Sequence, residues 1–321
     1  MRAFGAGGSG AAVGSRKTGG GSAMIQRRRF LQITAAMALT PALVPARGRA
    51  ETRWQGTALG ADAEVTLTGD ARAAEAVLRR LPAVLQGIEA EFSLFRPDSA
   101  LVQLNNTGRL VAPSPRFLEL CALCDRVHRA TGGVFDPTVQ PLWRALAQGG
   151  DLATARAALG WGRVGISRAG VTLDAGQALT FNGIAQGFAT DAVRALLADA
   201  GFTQALIGIG EYAALGGPWR IGVEDPAAGL LATRSLTGGA MATSSPGAMT
   251  LAGGQAHILH PQGRAPVWSS VTVLADSAAL ADGLSTAWVF AGVDEITTAR
   301  RRLVGVGEVV LVDANGNLRR I

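Results

Sequence analysis

The sequence predicts an α+β fold, on three observations. Short apolar stretches with strand character recur along the chain, and separate helical stretches stand between them. No internal repeat and no linker divides residues 51–321. Of the 321 residues, 48% are hydrophobic and 17% charged, which suits a chain that buries a sizeable core.

The first fifty residues stand apart. They hold eight of the 30 basic residues and no acid, so the formal charge of +6 conceals a net −2 over the rest. Charge therefore gives no reason to expect a nucleic-acid partner. Arg27-Arg28-Arg29-Phe30-Leu31 fits the twin-arginine pattern, and the apolar run Ile33–Val44 that follows is too short to span a bilayer. Ala46 and Ala50 offer cleavage points. The expected organisation is an N-terminal extension with a twin-arginine signal peptide over 1–50, one domain over 51–321, and a periplasmic location reached through the twin-arginine export machinery.

In the body, Arg53–Thr68 alternates loosely around Gly56 and Gly60 and predicts a hairpin. Val77, Leu81, Val84, Leu85, Ile88 and Phe92 keep helical spacing over Ala71–Phe92, with Pro82 a kink. Ser99 follows a Pro97-Asp98 turn and caps a short helix reaching Leu104. Pro115–Thr131 is a helix carrying Cys121 and Cys124, which share one face. No second cysteine pair supports zinc, so core packing is the expected role, with a disulfide as the alternative. Gly132-Gly133 ends that helix ahead of Asp136-Pro137, where the Asp either meets a ligand or only holds a turn. A short helix over Asp151–Leu159 precedes strands at Trp161–Ile166, Val171–Leu173 and Leu179–Phe181.

Thr180–Ala200 then reads as strand, glycine-bearing turn and amphipathic helix starting near Gln186. Such a junction presents free N–H groups and a positive dipole end, so it can receive a phosphate. Strands at Gln204–Ile209, Tyr212–Leu215 and Trp219–Val223 form a meander, followed by strands at Ser235–Thr243, His257–Leu259 and Ser270–Leu274. Helices at Ala278–Ala291 and Val293–Arg301 and strands at Glu308–Val312 and Asn317–Ile321 complete the fold. Gly208-Ile209-Gly210 lacks the third glycine of a dinucleotide fingerprint, and a body without lysine has no Walker-type loop.

Asp282 and Thr286, four apart, share a helix face and offer a carboxylate and a hydroxyl, donors suited to Mg²⁺. Such a pair is commonly a solvated face or a local cap. Leu280, Leu284, Ala287, Trp288 and Val289 make this helix apolar, so Asp282 is expected either buried with a partner or ligating something. His257, His260 and His128 are the candidate proton carriers.

Six segments in order carry a resemblance: Gln55–Thr57, Phe92–Ser99 with Leu104-Asn105, Thr131–Pro137, Asn182–Asp191, His257–Gly263 and Ala281–Ala287. Together they resemble the ApbE family, the FAD:protein FMN transferases. The resemblance implies an α+β, T-fold-like architecture of mixed and antiparallel sheets, helices and a cleft for FAD. It implies Mg²⁺-dependent transfer of FMN from FAD to a Thr or Ser hydroxyl of an acceptor flavoprotein, with release of AMP. By the same resemblance, Asp282, Thr286 and the Ala185 carbonyl hold the metal, and His257 lies near the transferred phosphate. Val134, Phe135 and Asp136 form the adenine-contacting turn, while Gln55, Phe95, Asn182, Phe188 and Ile258 lie at or near the flavin nucleotide.

The chain departs from the family pattern at Gln186, where a lysine is usual, at Glu211-Tyr212, and at His260, where an aspartate is usual. The Asn182–Gly187 and Gly210–Tyr212 variants are similar to a periplasmic, NosX-like branch linked to nitrous oxide reductase maturation, which works with a membrane-bound flavoprotein. Two other readings stay open: a flavoprotein that keeps FAD or FMN bound, and an FAD pyrophosphatase.

Overall fold

The computed structural model describes residues 50–251 and 253–321. The twin-arginine segment lies outside the described residues. Among those described, no helix is long and apolar enough to cross a membrane.

In chain order, the hairpin β1 (Ala50–Ala58) and β2 (Ala61–Gly69) leads into helices α1 (Ala71–Leu78), α2 (Leu81–Phe92) and α3 (Ala100–Thr107). Strand β3 (Arg109–Val111), helices α4 (Pro115–Ala130), α5 (Gln140–Gln148) and α6 (Leu152–Ala157), and strands β4 (Gly165–Ile166) and β5 (Gly170–Thr172) follow. Then come α7 (Ala185–Asp199), β6 (Ala205–Ile209), β7 (Glu211–Leu215), β8 (Trp219–Asp225), β9 (Gly229–Leu236) and β10 (Ala240–Ser244). The chain closes with β11 (Ser270–Ala275), α8 (Ala278–Trp288), α9 (Val293–Arg302), β12 (Val306–Val312) and β13 (Leu318–Arg320).

Eight strands form one antiparallel sheet in the order β1-β2-β6-β7-β10-β11-β12-β13. Alternation assigns its two faces. Ala63, Val65 and Leu67 of β2, with Ala205, Ile207 and Ile209 of β6, join the main core with the helices. Leu206, Ala214, Met241 and Val310 point the other way, into a second core completed by Ile221, Val223 and Leu236 of the β8–β9 hairpin. Helices thus cover one face and a two-stranded ribbon the other. A small sheet, β3-β5-β4, stands apart.

Most predicted elements form, and the differences have local causes. The Ala71–Phe92 stretch is two helices rather than one kinked helix. Pro82 lacks an N–H and its ring would meet the Leu78 carbonyl, so it is accommodated in the first turn of a new helix. Trp161–Ile166 is mostly a 3₁₀ turn, Trp161–Arg163, with only its last two residues in β4. Leu179–Phe181 is extended but joins no sheet. There the Asn105 side chain takes the place of a neighbouring strand, accepting from the Leu179 N–H at 2.7 Å and donating to its carbonyl at 2.9 Å.

The meander ends after β7, because β8 crosses to pair with β9. Ser235–Thr243 is broken at Gly238-Gly239, both with positive φ, so its halves serve different sheets. His257–Leu259 is a bent loop rather than a strand, and Thr250 and Ala256 form an isolated bridge just ahead of it. Helix α5 and strand β3 are additions the periodicity does not announce. Cys121 and Cys124 are free and buried in the main core, as the packing role requires.

Candidate functional site

The site is built where the start of α7 meets α8. Two close approaches set that meeting. At Gly187 a Cβ would overlap the Ala278 carbonyl, so only glycine lets the two backbones touch. At Gly183 a Cβ would lie 2.9 Å from Thr286 Cγ2. Asp191 of α7 then locks the register. Its carboxylate accepts from the N–H groups of Ala278 and Ala279, both at 3.0 Å, and from Ser277 Oγ at 2.7 Å, while Arg194 pairs with it at 2.9 Å. These contacts satisfy free donors at the start of α8 from another helix.

With the helices so placed, Asp282 is 4% exposed and its Oδ2 accepts from the Gly187 N–H at 3.0 Å. Burial pushes its carboxyl up to about 7, against the pull of that hydrogen bond. Thr286 Oγ1 lies 3.4 Å from the Gly183 carbonyl and 3.2 Å from Ser244 Oγ, which also meets Ser285 Oγ at 2.8 Å. A second carboxylate belongs to the same neighbourhood. Glu211, 7% exposed, accepts from the Thr243 N–H at 3.0 Å. Burial and the charge of Asp282 hold it well above the usual carboxylate range. Among the described residues neither carboxylate has an ion-pair partner.

A buried carboxylate, a hydroxyl and a loop carbonyl are oxygen donors of the kind that hold a hard cation. The two unpaired carboxylates fit one, since burial without a counter-charge is costly. Among the described residues no three His, Cys, Asp or Glu side chains cluster as a metal site, so backbone, hydroxyl, water or phosphate oxygens would have to complete the shell of any ion held here. Ala185, buried, opens α7, and the carbonyl found beside Thr286 is that of Gly183.

His257 sits in the bent loop. Its Nδ1 faces two carbonyls, Met249 at 3.1 Å and Pro246 at 3.3 Å, so that nitrogen carries the proton and Nε2 keeps a lone pair. Burial pulls its pKa below the ordinary value and keeps the ring neutral. Ile258 packs partly buried against the main core. His260 is internal to the loop, its Nδ1 3.0 Å from the Gln262 N–H and its Nε2 3.0 Å from Arg264 Nε.

The remaining sequence candidates divide by environment. Gln55 on the outer strand β1 and Asn182 in the turn before α7 are exposed, and Phe95 is 62% exposed. Phe188 lies in the core, edge-on to Phe92 at 5.6 Å. In the Val134–Asp136 turn, Val134 is partly buried and Phe135 is buried, its carbonyl 2.7 Å from His128 Nδ1. The Asp136 carboxylate is engaged on both oxygens, accepting from the Thr138 N–H at 2.8 Å, Thr138 Oγ1 at 2.5 Å and the Trp161 N–H at 3.3 Å. It holds the turn. Sequence reasoning did not count Ser244, Ser285 and Glu211 among the site residues. Ser244 on β10 stands 41 positions from Ser285 and Glu211 on β7 stands 71 from Asp282, whereas Ser285 adjoins Thr286 on α8. The one available signal was the unusual Gly210-Glu211-Tyr212.

Comparison with known proteins now adds a decisive finding. A family model described as the ApbE family matches residues 59–309. The chain belongs to the ApbE family. ApbE architecture is also what the fold resembles among solved structures. The flavin transferase ApbE from Vibrio cholerae superposes with a TM-score of 0.75 at 22% identity, covering 85% of this chain and 97% of that one. The apo flavinyl transferase ApbE of Pseudomonas stutzeri gives 0.73 at 25% identity, over 85% and 95%. The ApbE protein of Thermotoga maritima gives 0.75 at 22%, over 84% and 97%. No curated protein matches the chain in sequence.

Proposed function

We propose that this protein is an FAD:protein FMN transferase. The observation that carries the reading is the buried Asp282 beside Thr286, held against the start of α7 by the Gly187 N–H, in a chain of the ApbE family. In the proposed reaction the hydroxyl oxygen of an acceptor Thr or Ser attacks the FMN-side phosphorus of FAD. A new P–O bond forms, the pyrophosphate P–O bond breaks, AMP leaves, and the hydroxyl proton is taken up. Asp282 and Thr286, with carbonyl oxygen from the turn before α7 or from Ala185, would hold Mg²⁺. When bound, the ion neutralises pyrophosphate charge and polarises the bond to be broken.

The chain's own residues do the rest. The positive dipole end at the start of α7 attracts phosphate charge, with the Ala185 and Gly187 N–H groups already engaged by the Phe181 carbonyl and Asp282. His257, neutral with Nε2 unprotonated, accepts the proton of the acceptor hydroxyl, a role of about 10²–10⁴-fold in rate. The Val134–Asp136 turn, Gln55, Phe95, Asn182, Phe188 and Ile258 line or back the nucleotide site. The acceptor is a flavoprotein, membrane-anchored with a periplasmic domain, and the twin-arginine segment delivers the transferase to the same compartment.

The test incubates the protein lacking residues 1–50 with FAD, Mg²⁺ and a candidate acceptor domain. The expected result is an acceptor heavier by FMN, with AMP released. AMP with free FMN and no labelled acceptor indicates a pyrophosphatase, and intact co-purified FAD a carrier. Asp282→Ala should abolish Mg²⁺-dependent turnover, and unchanged activity at saturating FAD would sink the metal assignment.

A further inference from the structure

Beyond the pair that holds the metal in the proposed reaction, three observations converge on Glu211. First, the backbone of Glu211 is fastened to the same helix that holds Asp282. Thr190 Oγ1 on α7 donates to the Glu211 carbonyl at 3.2 Å, one turn beyond Gly187, whose N–H holds Asp282. Second, adjacent residues of β10 serve both groups: the Thr243 N–H holds the Glu211 carboxylate, and Ser244 Oγ contacts Thr286. Third, Gln186 is 7% exposed and its Nε2 has no hydrogen-bond partner. That amide lies on Gly210, the residue before Glu211, where a Cβ would come within 2.6 Å of Gln186 Cδ.

Two buried carboxylates without a cationic partner lack the counter-charge that would let them ionise. A buried donor beside them without an acceptor lacks an oxygen. A divalent cation with its own water or phosphate oxygens supplies both. We propose that Glu211 is the second carboxylate of the cation site, a positioning residue that matches the ion's second charge, and that the Gln186 amide donates to an oxygen accompanying the ion. This rests on the metal reading above and adds to it a residue from β7.

The experiment measures Mn²⁺ binding to the protein without FAD, by the electron paramagnetic resonance signal of free Mn²⁺. Glu211→Gln keeps an acceptor for the Thr243 N–H but removes the charge. Its Mn²⁺ affinity should fall at least tenfold. Its melting temperature without metal should be equal or higher, because a buried ionisable group with no counter-charge is gone, while the Mn²⁺-induced rise in melting temperature shrinks. Glu211→Asp, which keeps the charge but withdraws it by one methylene, should bind less tightly than wild type and more tightly than Glu211→Gln, and it serves if Glu211→Gln does not fold. Equal affinity of wild type and the folded Glu211 variants overturns the inference alone. Absence of Mn²⁺ binding by wild type, with Asp282→Asn indistinguishable from it, overturns the metal reading and this inference together.

Discussion

Asp282 and His257 respond to burial in opposite directions, and the difference separates the roles proposed for them. Burial favours the neutral form of each. For Asp282 that form is the protonated acid, which a cation has to displace. For His257 it is the free base, already correct for accepting a proton. Because the His257 pKa lies below its ordinary value near 6.5, transfer at saturating Mg²⁺ should stay flat through neutral pH and fall only on the acid side. A pH–rate profile that begins to fall above pH 7 would contradict this. The linkage has the same sign. Below about pH 6.5 the unfolded chain takes a proton that the folded His257 refuses, so this residue's contribution to stability declines on acidification. His257→Gln should lower the transfer rate by about 10²-fold or more at unchanged Mn²⁺ affinity. At the same scale, burial pushes the Cys121 thiol up to about 12 and Cys124 well above its ordinary value. Both should resist alkylation in the folded protein and react fully after denaturation, with or without reductant.

Helices α7 and α8 act as one element. Asp191 ties the start of α8 to the flank of α7 through three hydrogen bonds, and Gly187 permits the contact. Asp191→Ala should cost about 1–3 kcal/mol in chemical denaturation, as expected for a lost cap that leaves buried donors unmet. Gly187→Ala should cost about 1–3 kcal/mol through overpacking and also weaken metal binding, because the Gly187 N–H is what holds Asp282. A Gly187→Ala protein with wild-type stability and Mn²⁺ affinity would refute the claim that this contact sets the site. Both helices were legible as 3.6-residue patterns, and Asp282 and Thr286 as neighbours on one face. Their docking was not, because the constraint is a missing Cβ and a cap supplied from 86 positions away. Likewise Asn105 stands in for a strand beside Leu179, which no local pattern reveals.

For the whole chain, the proposed export makes a separate prediction. Replacing Arg27 and Arg28 by Lys should leave the protein in the cytoplasm on cell fractionation, and normal periplasmic delivery would count against the twin-arginine reading. Within the domain, alternation and helical spacing were enough to establish an α+β chain and most of its strands and helices, since these follow from short-range periodicity, while the family was legible only through the resemblance of six ordered segments. Alternation alone could not say that β8 leaves the meander to cover the outer face with β9, because the choice depends on which apolar surface remains uncovered once β6 and β7 are in the large sheet. Nor could it assemble Asp282, Thr286, Ser244 and Glu211, drawn from α8, β10 and β7. Their meeting is decided by strand register and by a backbone contact at Gly187, both properties of the packed molecule rather than of any stretch of its sequence.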